Sequence, residues 1–109
     1  MVKIILGGLM MLQSKSKQIE TQDGAAIQYT YFENGRFVGR ICILIKNSFI
    51  FNFEIAPEFR NKGYGTQILN SLNGKELFVQ KGNRAINLYK RCGFQEIEEK
   101  DNFIRMRRI

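Results

Sequence analysis

The sequence predicts an α+β (α/β-class) fold built on a mixed, mainly antiparallel sheet, and three observations carry that expectation. Ala26 to Phe32 alternates apolar and polar residues with a period of two and runs into Asn34-Gly35, a dipeptide suited to a tight hairpin because both central residues of a type I′ turn need positive φ. Past Pro57 the apolar spacing becomes helical, with Tyr64, Ile68, Leu69 and Leu72 recurring on one side. A second helical stretch, Arg84 to Cys92, aligns Ala85, Leu88, Tyr89 and Cys92 at i, i+3, i+4 and i+7. A chain of 109 residues is one domain's worth of polypeptide, so residues 1–109 are expected to form a single domain.

In chain order, Val2 to Leu12 is apolar apart from Lys3 and reads as a first strand or helix, with Gly7-Gly8 opposing a long regular helix. It has the length of a signal-peptide core but lacks a basic leader and a small-x-small cleavage site, and Met10 or Met11 also offers a start within it. Gln13 to Gly24 is polar and reads as a connector. After the Asn34-Gly35 hairpin, Phe37 to Ile45 is the return strand. Its apolar run Ile41 to Ile45 suits a central position in a covered sheet. Lys46-Asn47-Ser48 then turns the chain into a third strand, Phe49 to Ile55. The helix opened by Gly63 is expected to run to Asn73-Gly74, and Lys75 to Val79 reads as a short strand. Gly93 sits where a left-handed cap closes the second helix, and Phe94 to Glu99 and Phe103 to Ile109 form a last strand pair.

Composition narrows the chemistry. Seventeen basic against ten acidic residues give a formal net charge of +7, which attracts anions such as nucleotide phosphates, nucleic acid or anionic lipid. The absence of histidine excludes Ser-His and Cys-His nucleophile pairs, and two cysteines without histidine do not assemble a zinc site. Cys42 and Cys92 both lie in apolar patterns and read as buried free thiols, which places the chain in the cytoplasm, although one disulfide stays open at this stage. No apolar run reaches the roughly 20 residues that span a bilayer.

The segment Arg60-Asn61-Lys62-Gly63-Tyr64-Gly65-Thr66 opens the first helix. Helix starts offer unpaired N–H groups to an anion. Glycines at 63 and 65 let phosphate oxygens approach the backbone, and Arg60 and Lys62 add full charges. Alternatively Gly63 only shapes a turn and the cations are solvated. Ile68 stands where a dinucleotide fingerprint needs its third glycine, and no Lys-Ser/Thr follows to make a P-loop.

A longer pattern matches better. Ile55-Ala56-Pro57-Glu58-Phe59-Arg60-Asn61-Lys62-Gly63-Tyr64-Gly65, followed by Ala85-Ile86-Asn87-Leu88-Tyr89-Lys90-Arg91-Cys92-Gly93-Phe94, closely resembles the Gcn5-related N-acetyltransferases (GNAT). The first segment is similar to that family's Arg/Gln-x-x-Gly-x-Gly acetyl-coenzyme A loop, the second to its Leu-Tyr-x-x-x-Gly-Phe helix end. The resemblance implies a GNAT-like sheet whose strand before the loop splays from its neighbour. Main-chain groups of Phe53 to Ile55 would meet the pantetheine arm, and the amides of Asn61 to Gly65, with Arg60, Lys62 and Thr66, the pyrophosphate. Tyr89 would stand near the sulfur as proton donor, besides being a core aromatic. The asparagine that the family often carries three residues before the motif's Ala is displaced by one, to Asn83, because Gly82 stands in its place.

The same resemblance implies direct acetyl transfer from acetyl-coenzyme A to an amine, with no metal. A lysine-like amine with pKa near 10.4 is under roughly a thousandth neutral at pH 7, so a base or a water relay must take its proton. Glu54 is the carboxylate of the splayed strand, and simple alternation sets it on the face opposite Phe49, Phe51 and Phe53. An amide near Ile55 would meet the oxyanion. Family members usually carry two helices between their first strands, where this sequence has only Met1 to Gly24. That implies an open acceptor groove suited to a protein or other large acceptor, in a monomer or homodimer. Two other functions stay open: acylation of aminoacyl-tRNA, motivated by net charge and by Arg105, Arg107 and Arg108, and a catalytically silent coenzyme- or nucleic-acid-binding module.

Overall fold

The structure, a computed structural model, describes residues 2–7 and 10–108, with side chains described from residue 12. The chain forms β1 (Val2–Gly7), β2 (Met10–Thr21), β3 (Gly24–Glu33), β4 (Arg36–Leu44) and β5 (Ile50–Ile55) as an antiparallel meander. A short 3₁₀ turn, Pro57–Phe59, leads to α1 (Tyr64–Asn70), followed by β6 (Glu76–Gln80), α2 (Ala85–Arg91), β7 (Phe94–Lys100) and β8 (Phe103–Arg108). The second sheet has the order β6-β8-β7. The α+β class and the Asn34-Gly35 hairpin are as expected, with φ of 51° and 77° at the two turn residues.

Three expectations need correction. Gln13 to Gly24 is no connector: β2 runs to Thr21 and pairs with β3 from Gln13↔Phe32 to Thr21↔Gly24. Its polar sequence has weak strand propensity, but β3 needs partners for its main-chain groups, and that demand overrides propensity. The apolar stretch before it is strand, while the second glycine of Gly7-Gly8 and Leu9 lie outside the described residues. Second, α1 stops at Asn70, well before Asn73-Gly74, because the Ser71 hydroxyl donates to the Ile68 carbonyl at 2.8 Å and the chain leaves the helix there. Gly74 serves another purpose: a Cβ on it would stand 2.4 Å from Ile50 Cγ1, so it lets the returning chain press against β5. Third, the run Ile41 to Ile45 is not covered throughout, since β4 ends at Leu44 and Ile45 is exposed.

Both helices pack on one side of the sheets. Tyr31, Ile41 and Ile50 of the first sheet and Leu77, Phe94 and Met106 of the second share one core with Ile68, Leu69 and Tyr89 from the helices. Cys42 and Cys92 are buried and free. The opposite face of the second sheet leaves Phe78 and Phe103 exposed. Among the described residues no helix is long and apolar enough to cross a membrane.

The C-terminal arginines are structural. Arg105 and Arg107 both donate to Glu76 Oε1 at 2.9 Å, and hydrogen bonding to Arg105 first, then Arg107, holds that carboxyl below its ordinary range. Arg108 Nη2 donates to the carbonyls of Leu69, Leu72 and Gly74 at 3.0, 3.3 and 2.8 Å, closing the end of α1, and its guanidinium lies 4.7 Å from the Phe94 ring centroid. Arg108→Ala is expected to cost about 2 kcal/mol and to lower the melting temperature by roughly 8–15 °C. Arg108→Lys should recover only part, because an ammonium lacks the planar fork. An unchanged melting temperature for the alanine variant would contradict the capping role.

Candidate functional site

The site begins where two strands part. β5 and β6 meet through one parallel bridge, Phe49↔Glu76, backed by the Lys75 N–H donating to the Ser48 carbonyl at 2.8 Å. Past that point β5 pairs only with β4. Its other edge therefore has no strand partner along 50–55, and apart from the Ile55 carbonyl, which accepts Arg60 Nε at 2.8 Å, main-chain groups left without a ladder need water or a ligand. The phenyl rings of Phe49 and Phe78, 5.2 Å apart, close the narrow end on the uncovered face.

A bulge sets the direction of β5. Asn52 has φ 51°, and the register with β4 shifts so that Cys42 pairs with Phe51 while Arg40 pairs with Glu54. Arg40 and Cys42 lie two apart on one face, so Glu54 shares a face with Phe51 and Phe49. This overturns the expectation from simple alternation that Glu54 lies opposite those phenylalanines. Only Phe53 turns to the helix side, where its ring centroid is 6.3 Å from that of Tyr89. Glu54 Oε1 accepts Arg40 Nε at 3.1 Å and Nη2 at 2.7 Å, so this carboxylate already has a cationic partner, Arg40, that sequence reading missed. Cross-strand register alone reveals it.

The loop after β5 is unusually unclaimed. The Arg60 N–H donates to the Pro57 carbonyl at 3.3 Å, and the next main-chain amide to find a protein acceptor is Gln67, bonded to the Gly63 carbonyl at 3.1 Å. Among the described residues no acceptor stands in good hydrogen-bonding geometry to the N–H groups of 61–66, although the chain closes a loose turn over 60–63. Asn61 at φ 61° and Gly63 at φ 90° bracket Lys62, an alternation of hand that turns successive amides toward one concavity, as in anion nests. Residues 61–63 are exposed. Arg60 itself is turned back, its Nε donating to the Ile55 carbonyl at 2.8 Å. At Gly65 a Cβ would lie 2.9 Å from Leu88 Cδ2 and 3.8 Å from Phe53 Cζ, so the missing side chain makes room for α2 as well as for any ligand.

Tyr89 is a buried ring between Phe53 and Phe94, the latter edge-on with centroids 5.9 Å apart, and burial pushes its phenol above the ordinary value. The fully buried side-chain polar atoms without a partner are the Tyr31 hydroxyl and Gln67 Nε2 among the described residues. The Tyr89 hydroxyl is not one of them and no described group bonds it, so it opens to the surface. Asn83 is spent elsewhere: its Oδ1 accepts the Ala85 N–H at 2.8 Å at the foot of α2. Thr66 is half-buried in the first turn of α1, and burial pushes the Cys92 thiol up.

A parted strand pair, an unclaimed amide loop and, on α2, the buried Tyr89 ring against Phe53 meet in one place. An acetyltransferase (GNAT) domain model matches residues 25–96. The chain belongs to the GNAT family. Solved structures agree on the fold of this GNAT chain. The PaiA N-acetyltransferase of Thermoplasma acidophilum in complex with coenzyme A is 19% identical with a TM-score of 0.64, over 76% of this chain and 60% of that one. A protein of Pyrococcus horikoshii is 23% identical with a TM-score of 0.61, over 74% and 63%. The Campylobacter jejuni N-acetyltransferase PseH in complex with acetyl coenzyme A is 20% identical with a TM-score of 0.59, over 74% and 65%. The chain thus spans a little over three fifths of the length of these structures. No curated protein matches it in sequence.

In this GNAT chain the seat of β5 is tight. A Cβ on Gly39 would stand 2.6 Å from the Glu54 carbonyl oxygen and 2.9 Å from Ile55 Cδ1. Gly39→Ala is expected to push β5 away from β4 and cost about 1–3 kcal/mol, read as a lower denaturation midpoint with an unchanged slope. A midpoint equal to that of the parent would show that β5 is free to move.

Proposed function

We propose that this chain is an acetyl-coenzyme A-dependent N-acetyltransferase that passes the acetyl group directly to an amine on a protein or other large acceptor. The observation that carries it is the row of unbonded amides at 61–66, set at the mouth of the opening between β5 and β6. The coenzyme supplies a thioester-activated acetyl group. The amides of 61–65 and the Lys62 ammonium fit its diphosphate, and the unpaired edge of β5 at 53–55, apart from the Ile55 carbonyl held by Arg60, fits the amide-bearing arm. Arg60, tied to Ile55, holds the end of β5 in place and adds its charge nearby. Asn83, occupied by Ala85, has a lesser part.

Tyr89 supplies a hydroxyl from a dry ring. Burial raises the phenol above its ordinary value, so it gives its proton reluctantly to a thiolate, whose acid is the stronger of the two. Tyr89 therefore stabilises the departing sulfur chiefly as a hydrogen-bond donor, and solvent completes protonation. Glu54 lies on the acceptor-side face with Phe49 and Phe51, where a carboxylate suits an incoming ammonium. Because Arg40 holds one of its oxygens, a water relay shares the removal of the amine proton. A large acceptor is supported by the uncovered sheet face, which bears an open trough of about 380 Å³ with Phe78 and Phe103 in its walls. The engagement of Arg105 and Arg107 by Glu76 and of Arg108 by main-chain carbonyls weighs against aminoacyl-tRNA. The buried free thiols of Cys42 and Cys92 suit a reducing cytoplasm. The Arg40 pairing of Glu54 favours, as a second reading, a silent coenzyme-binding module.

Calorimetry with acetyl-coenzyme A, followed by thiol release across peptide, protein and polyamine amines, tests this. Saturable binding with turnover on peptide or protein amines is the expected result. Turnover on small polyamines alone overturns the large acceptor, binding without turnover establishes the silent module, and no binding overturns both. Tyr89→Phe is expected to lower kcat by about 10- to 100-fold with coenzyme affinity within about twofold of the parent. Unchanged kcat would leave Tyr89 with its packing role alone.

A further inference from the structure

The β3–β4 hairpin reaches the amide loop from outside the family's motifs. Glu33, the last residue of β3, sits before the Asn34-Gly35 turn, and Arg36 faces it across that turn. The Tyr64 hydroxyl lies 2.8 Å from both Glu33 Oε1 and Glu33 Oε2. A phenol has one proton, so it donates to either oxygen of an ionised carboxylate, a charge-assisted bond of the stronger class. Tyr64 is the first residue of α1, only 6% exposed, and meets Phe59 edge-on with ring centroids 5.3 Å apart. Over Phe59 lies the Arg36 guanidinium, 5.1 Å from the ring centroid. The loop 60–63 is thus held at both ends by one hairpin: Arg36 clasps Phe59 where the loop begins, and Glu33 clasps Tyr64 where it ends.

Such bracing answers a physical need. A loop whose amides have no protein acceptors gains nothing from its own hydrogen bonds by keeping this shape, and each residue confined to one backbone well loses entropy. The left-handed Asn61 adds strain to that cost, and Gly63, which adopts positive φ freely, adds the larger entropy that glycine loses. Glu33 is an odd choice on charge alone, since a carboxylate near a diphosphate site repels the ligand. Its presence makes sense as an acceptor for the phenol, with Arg36 offsetting the charge.

We propose that Tyr64 is a positioning residue, held by Glu33, that keeps the 60–63 loop in the shape that receives the coenzyme diphosphate. This rests on the acetyl-coenzyme A reading above. The role belongs to binding and leaves the chemical step alone. It also separates hydrogen-bond acceptance from charge: a neutral amide at 33 still accepts the phenol while removing the repulsion.

The test uses the full chain and three variants, Tyr64→Phe, Glu33→Ala and Glu33→Gln. Coenzyme A affinity is read by calorimetry, KM and kcat by thiol release, and order of the free loop by ¹⁵N relaxation. Tyr64→Phe and Glu33→Ala are expected to raise Kd and KM about 5- to 20-fold with kcat within about twofold. Backbone order parameters at 61–63 should fall from the rigid range near 0.85 toward about 0.6. Glu33→Gln should bind as tightly as the parent or tighter. Unchanged order parameters in Tyr64→Phe overturn the tether, as does loosened order with parent-like affinity. A parent protein that binds no coenzyme while Tyr64→Phe loosens the loop strikes the coenzyme reading alone and leaves the tether standing.

Discussion

The parting of β5 from β6 is the constraint on which the rest depends. One bridge, Phe49↔Glu76, joins the two sheets, and beyond it one edge of β5 lacks a strand partner. Both sides of the junction are anchored. Glu76 is gripped by Arg105 and Arg107 from β8, which fixes β6 at the bridge. On the other side, Gly39 lets the end of β5 lie close against β4, and the bulge at Asn52 bends it. An open strand edge is a liability in most folds. In the proposed reading, the amide-bearing arm of the coenzyme satisfies it.

The electrostatics follow the same logic. The formal charge of +7 suggests a broad basic surface, but several cations are committed internally: Arg40 to Glu54, Arg60 to the Ile55 carbonyl, Arg105 and Arg107 to Glu76, and Arg108 to the end of α1. In the proposed acetyl-coenzyme A reading, anion recognition falls to the neutral amides at 61–66, with Lys62 exposed beside them. Amides fixed in position lose nothing to reorganisation when an anion arrives, whereas flexible side chains pay in entropy.

Much of this was legible in the residues, and the exceptions are instructive. The Asn34-Gly35 turn, the switch from period two to helical spacing after Pro57 and the cap at Gly93 are local signals, and each element appears where they place it. The placement of the loop glycines at the start of α1 and of the Tyr89 ring on the apolar face of α2 was legible because both patterns are written in adjacent residues. What escaped depends on partners distant in sequence. β2 is polar and is strand only because β3 pairs with it. Glu54 changed faces because a single left-handed residue, Asn52, adds one position to the strand, and one extra position inverts every side chain that follows. Arg40 and Glu33 act across 14 and 31 residues respectively, distances at which no local pattern speaks.

The central claim is that the amides of 61–66 are the ligand-binding groups of this GNAT chain. An assigned ¹H–¹⁵N spectrum titrated with coenzyme A tests it most directly. The account predicts that the largest shifts fall on the amides of 61–66, with a second set along 53–55. Shifts concentrated on the uncovered face around Phe78 and Phe103, with residues 61–66 unmoved, would contradict it.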